Sequence, residues 1–132
     1  MVAFSPVGRS ILTDNPHNRA RAEKMPFLKN NPRFMSPNLE RNVEVTKSFR
    51  LFARERGYSA ASLSIAWLLS RGPHILPIPG TRSPKRLEEL VQGIYLKLTE
   101  DDLREIDKLL PVGWAHGDRY STEQWVGPER YS

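Results

Sequence analysis

The stretch Ile75-Leu-Pro-Ile-Pro-Gly-Thr-Arg-Ser-Pro-Lys-Arg-Leu-Glu-Glu89 decides how this chain is read. Residues 75–79 are apolar and bounded by Gly and Pro, the pattern of a short buried strand. A tight turn follows, and then a helix that opens on Ser83 as N-cap and Pro84 at the first helical position. A helix N-terminus presents unpaired backbone N–H groups and a partial positive charge. Arg82, Lys85 and Arg86 add fixed charge beside those amides. Dipole, amides and guanidinium groups together form a site for a phosphate-like anion. A plain strand-to-helix connection with solvated basic residues has the same local pattern, and this stretch alone leaves both readings open.

Outward from that stretch, the pattern alternates strand and helix. Residues 2–4 form a very short apolar strand running into Ser5-Pro6-Val7-Gly8-Arg9. Residues 13–38 are polar and hold Pro16, Pro26, Pro32 and Pro37; a structureless loop, a functional lid or a partly disordered one, is expected there. Residues 38–56 have one helical face (Leu39, Val43, Phe49, Phe52, Ala53), with Gly57 as its stop. Ser59 caps a helix over 60–71 that is apolar nearly all round, so it is expected to be heavily buried. Residues 84–93 form the helix of the opening stretch. Thr99 caps a last amphipathic helix over 100–110, with Leu103, Ile106 and Leu110 inward and three acids in its first turn. The tail, 111–132, has no period and carries Trp114, Trp125, Tyr120 and Tyr131, which suits packing across a surface.

Strand, helices and a second parallel strand make an α/β unit. Two parallel strands are a poor sheet by themselves, because parallel strands need covered faces and several neighbours. The chain is therefore expected to be the end of a larger α/β protein.

Composition narrows the function classes. The 132 residues suffice for one domain with a modest core, and 39% hydrophobic with 27% charged residues is a globular balance. Absence of Cys excludes disulfides and thiolate metal sites. No apolar run reaches the roughly 20 residues that span a bilayer, and residues 1–6 do not read as a secretory signal. A cytoplasmic location and no membrane partner are the expectations. The net charge of +5 is uneven: residues 1–98 hold 16 basic and 7 acidic groups, residues 99–132 hold 4 and 8. A basic body attracts nucleic acid or phosphorylated small molecules. The aromatics are not interleaved with the basic residues and no nucleic-acid-binding motif occurs, so no nucleic-acid partner is expected. His17, His74 and His116 lack ligand spacing, and no metal site is expected. No phosphate-binding loop of the dinucleotide or NTPase type occurs, and Glu88 and Glu89, being consecutive, do not face each other on a helix.

Taken in order, Val2-Ala-Phe-Ser-Pro-Val-Gly-Arg9, Ala66-Trp-Leu-Leu69, the stretch 75–89 and Leu98-Thr-Glu100 closely resemble the C-terminal portion of aldo-keto reductases. Those are (β/α)8 barrels that reduce carbonyls with NADPH. The resemblance runs from Val2 to about Leu110 and implies an α/β fold: a partial TIM barrel made of its last two strands with their helices, mostly helical in content, in a single partial domain over 1–132. Residues 2–4 would be strand seven and 75–79 strand eight, whose following loops often hold phosphate in such barrels. It implies that Ser5, Pro6, Val7 and Arg9 line the cofactor pyrophosphate, and that Gly80, Thr81 and Arg82 lie along the adenosine phosphate. Arg86 matches the arginine that pairs with the 2′-phosphate and stacks near adenine, which suits a planar guanidinium. Glu89 matches an acid beside the adenine. NADP(H) is thus the implied cofactor and a small carbonyl compound the implied substrate. Two positions depart from the family: Gly80 stands where one branch has a lysine, and Leu90 where an adenine-contacting Asn is usual. Residues 113–120 are similar to a C-terminal loop that borders the substrate mouth in some bacterial members.

The family's catalytic Asp, Tyr, Lys and His belong to earlier strands and have no counterpart in these residues. No catalytic residue is therefore assigned, and the chain is expected to be inactive alone and to pair with an N-terminal barrel half. The alternative is a non-catalytic binding or regulatory protein that uses its basic face or pairs with a separate N-terminal piece. The removed barrel strands are expected to leave the edge of strand seven and the inner faces of both strands exposed.

Overall fold

Local caps set most of the element boundaries. The computed structural model describes residues 1–125. The tail aromatic Tyr131 lies outside the described residues. Ser59 accepts from the Ser62 N–H at 3.0 Å and opens α4, Ala60–Ser70. Ser83 opens α5, Pro84–Tyr95, with Pro84 in its first turn. Thr99 opens α6, Glu100–Leu109, through a reciprocal box: its hydroxyl accepts from the Asp102 N–H, and the Asp102 carboxylate accepts from the Thr99 N–H. The strands β1, Val2–Phe4, and β2, Leu76–Ile78, run parallel, with Val2 opposite Leu76 and Phe4 opposite Ile78.

Two compact units make up the described residues, Met1–Pro16 with Thr46–Val112, and His17–Val45 with residues 113–125. In the first, α4 is the central element. One side carries Ala60 and Leu63 into a cluster with Phe49, Phe52 and Ala53 of α3, Lys47–Glu55, and with Ile106 of α6. Leu63 is fully buried, and such burial contributes about 1.5–3 kcal/mol per side chain. Another side carries Ala61 and Ile65 against Leu90 of α5. Packing on two sides explains why α4 is apolar nearly all round, although burial is complete only through Ala66; Trp67, Leu68 and Leu69 are half-buried. Two ion pairs tie α6 in place, Arg56 to Asp102 at 2.7 Å and Arg71 to Asp107 at 2.6 Å.

The expected single helix over 38–56 is two helices. α2, Asn38–Val45, and α3 are separated at Thr46, whose backbone sits at φ −77°, ψ 0°. Thr46 is fully buried and its hydroxyl accepts from Arg50 at 2.7 Å.

In the second unit, residues 13–38 are not the structureless loop expected. Asn18 caps a short helix α1, Arg19–Glu23, and Asn31 caps a 3-10 turn, Pro32–Phe34. Two fully buried asparagines organise this unit. Asn31 Nδ2 donates to the Arg119 carbonyl at 2.8 Å and to Gln124 Oε1 at 3.1 Å. Asn42 donates to the Arg33 and His116 carbonyls, and its Oδ1 accepts from the His116 N–H at 2.7 Å. Gly117 is required where the chain crosses this turn, because a Cβ there would lie 2.7 Å from the Pro32 carbonyl oxygen, and its φ is +83°. Phe27, Tyr120 and Trp125 pack edge to face, with centroids 6.3 and 5.0 Å apart. No described helix is long and apolar enough to cross a membrane.

Candidate functional site

Parallel pairing of β1 and β2 decides the site. Phe4 pairs with Ile78, so the segments starting at Ser5 and at Pro79 leave the sheet at the same end, from adjacent strands. Adjacent strands lie roughly 4.8 Å apart. The two segments singled out in the sequence thus begin side by side.

The first segment is tightly wound. Ser5, Gly8, Arg9 and Ser10 all have positive φ, at 52°, 57°, 51° and 89°. Three of these are not glycine, and the left-handed region costs such residues about 1–3 kcal/mol each. Backbone bonds hold the winding: Gly8 N–H to the Ser5 carbonyl at 2.9 Å, Ser10 N–H to Val7 at 3.1 Å and Leu12 N–H to Val7 at 3.2 Å. Pro6 is buried, and Val7 packs on the Ala61–Ile65–Leu90 cluster. The side chains of Pro6 and Val7 therefore anchor the segment, and what they offer a ligand is backbone. Strain of this kind, over-determined by packing, marks sites where backbone geometry is used.

The second segment ends in the N-terminus of α5. Thr81 shapes the turn: its Oγ1 accepts from the Ser83 N–H at 3.2 Å. The Ser83 hydroxyl accepts from the Arg86 N–H at 3.5 Å, a long cap bond. The first turn of α5 has no acid, and Arg82, Lys85 and Arg86 are exposed with no carboxylate partner among the described residues. α6 is the opposite case, with Glu100, Asp101 and Asp102 in its first turn. Three unpaired cations at an acid-free helix N-terminus suit a dianionic phosphate. Gly80 is exposed and nothing within 4 Å would meet a Cβ there, so the segment has room for a ligand. Glu89 is half-buried, and its carbonyl accepts from the Ser62 hydroxyl at 2.6 Å. Leu90, which departs from the family pattern, is a core residue.

Ser62 and Gly93 were not singled out in the sequence, yet they fix where α5 lies. A Cβ on Gly93 would fall 2.6 Å from the Ser62 carbonyl oxygen and 2.7 Å from Ile65 Cβ. The α4–α5 crossing therefore leaves no room for a side chain at position 93. A glycine inside an otherwise good helix was the available signal.

Comparison with known proteins gives the family and the fold. Residues 1–111 match the Aldo/keto reductase family. A probable aldo-keto reductase 1 of Glycine max is 34% identical over 123 residues, 91% of this chain and 34% of its own length. The NADP(+) aldo-keto reductase yakc of Schizosaccharomyces pombe is 32% identical over 120 residues, 91% of this chain and 35% of its own. The structure of a glycerol dehydrogenase from Gluconobacter oxydans, a TIM barrel of this family, superposes with a TM-score of 0.64 at 24% identity, over 83% of this chain and 33% of that one. The chain belongs to the aldo/keto reductase family. It spans about a third of the length of the curated relatives it matches. Its two parallel strands with flanking helices are consistent with part of a (β/α)8 barrel.

Proposed function

We propose that this chain is the NADP(H)-binding, C-terminal portion of an aldo-keto reductase-type oxidoreductase that acts on aldehydes and ketones. One observation carries the reading: an acid-free helix N-terminus, whose Arg82, Lys85 and Arg86 have no carboxylate partner among the described residues, follows a segment that leaves the sheet at the same end as the wound Ser5–Ser10 segment. In this reading Arg86 grips the 2′-phosphate of the nucleotide bidentately, as a planar guanidinium can and an ammonium cannot. The α5 amides and Arg82 share that charge, with Gly80 and Thr81 alongside. The backbone of Ser5, Pro6 and Val7, with Arg9, borders the pyrophosphate. Glu89 lies toward the adenine. When bound, the nucleotide supplies the hydride that reduces a carbonyl. Leu90 offers adenine no hydrogen bond, so affinity rests on the phosphate end.

The acid–base residues of the family have no counterpart at the matched positions, so in this reading the chain binds nucleotide without turning it over. Fluorescence titration of the purified chain with NADPH, with NADH as control, tests the proposal. Micromolar NADPH binding, at least tenfold tighter than NADH and without carbonyl reduction, is expected. Equal affinity for both nucleotides, or none for either in a chain folded by circular dichroism, overturns it.

A further inference from the structure

The two segments of the candidate site are fastened to the same turn of α4. On the α5 side, the Ser62 hydroxyl donates to the Glu89 carbonyl at 2.6 Å. On the other side, Asp14 Oδ2 accepts from the Ala60 N–H at 3.2 Å, across 46 positions of sequence. Ser64 Oγ lies between the Ala60 carbonyl, at 2.9 Å, and the Leu12 carbonyl, at 3.4 Å. Ala60, Ser62 and Ser64 are all buried. The N–H groups of a first helical turn have no partner within the helix, and that of α4 contains no acid. Asp14 supplies the acid from the segment after β1. Asp14 is in turn joined stiffly to the wound residues. The Ile11 N–H donates to the Gly8 carbonyl at 3.3 Å, and the Leu12 N–H to Val7 at 3.2 Å. Thr13 donates to the Ser10 carbonyl through its N–H, at 3.1 Å, and its hydroxyl, at 2.8 Å. A shift at Asp14 is therefore carried back into Ser5–Ser10.

We propose that Asp14 is a positioning residue for the nucleotide. By fastening the segment after β1 to the start of α4, it sets the spacing between the backbone that borders the pyrophosphate and the α5 N-terminus that takes the 2′-phosphate. The inference rests on the nucleotide reading proposed above and adds a residue that acts through others. A ligand gripped at two points gains over either point alone only where the spacing fits. The sign of the effect separates this role from one of charge. Asp14 is an anion, so on electrostatics alone its removal tightens the binding of an anionic ligand. Through spacing, its removal loosens a ligand that spans both segments.

NADPH spans both segments, and adenosine 2′-phosphate occupies the α5 end alone. Both are titrated into the full chain, NADPH by fluorescence and adenosine 2′-phosphate by NMR chemical shifts. Asp14→Ala should weaken NADPH at least tenfold and leave adenosine 2′-phosphate within twofold. Asp14→Asn, which keeps the acceptor and drops the charge, should hold NADPH within threefold of the parent. Thr99→Ala, which removes the α6 cap, should lower the melting midpoint without changing the ratio of the two affinities. If Asp14→Ala loses helix content by circular dichroism, Asp14→Glu is read in its place; its longer arm displaces the segment with the charge kept, and NADPH alone should weaken severalfold. An Asp14→Ala chain that binds NADPH as tightly as the parent or tighter, a loss of both ligands in proportion, or an Asp14→Asn chain as weak as Asp14→Ala each overturns the proposal. Absence of NADPH binding to the parent overturns the nucleotide reading and this role with it, so the two failures are distinguishable.

Discussion

Gly93→Ala is the sharpest test of how α5 is held. On helix propensity alone the change should stabilise, by about 1 kcal/mol, since Ala is the better helix former. The structure predicts the opposite sign. The added Cβ would meet the Ser62 carbonyl oxygen at 2.6 Å and Ile65 Cβ at 2.7 Å, and the first of these is backbone that cannot rotate away. α5 has to retreat by several tenths of an ångström, and the Ser62–Glu89 bond of 2.6 Å stretches with it. Overpacking of this kind costs about 1–3 kcal/mol, and a weakened hydrogen bond up to about 1 kcal/mol more. Set against the propensity gain, the net loss is about 1–2 kcal/mol. Urea unfolding followed by circular dichroism would show a lower midpoint at unchanged slope. A midpoint that rises would refute the close crossing.

Other expectations follow from particular contacts. Asp102 has its carboxyl held below the ordinary 3.8, first by the Thr99 N–H and then by Arg56. The folded form therefore prefers the ionised carboxylate, and that stability is complete above the unfolded value and lost as pH falls through the folded one. Asp102→Asn should cost about 1 kcal/mol at pH 7, with the gap to the parent closing below pH 3.8 in urea melts run across pH. Asn42→Leu removes the acceptor for the His116 N–H and the donor to two carbonyls, a loss of about 1–3 kcal/mol within the second unit; hydrogen exchange at 113–118 should speed at least tenfold. Thr81→Val frees the Ser83 N–H from its acceptor and should weaken NADPH severalfold while leaving the melting midpoint within about 2 °C.

What the sequence disclosed was mostly local. Ser59, Ser83 and Thr99 cap the helices expected of them, because an N-cap is chosen by its own neighbours within three residues. Parallel pairing followed from strand, helix and strand order. The misread segments depend on distant partners. Residues 13–38 looked structureless because Asn31 finds its acceptors 88 and 93 positions away. The break falls at Thr46, a fully buried threonine inside a helical pattern, and periodicity does not register it. Within the site, the cations Arg82, Lys85 and Arg86 stand exposed at α5 as the charge pattern implied. The anchoring role of Val7 and Leu90 needed the fold, since both sit in one cluster with Ala61 and Ile65.

The proposed function puts a 2′-phosphate at the N-terminus of α5. Calorimetric titration with 2′,5′-ADP, against 5′-ADP as the isomer with no 2′-phosphate, tests it most directly. Binding of 2′,5′-ADP at least tenfold tighter than 5′-ADP is expected, with the preference abolished in Arg86→Ala while the variant's melting midpoint is unchanged. Equal affinity for the two isomers in the parent chain, or a preference that survives Arg86→Ala, would contradict it.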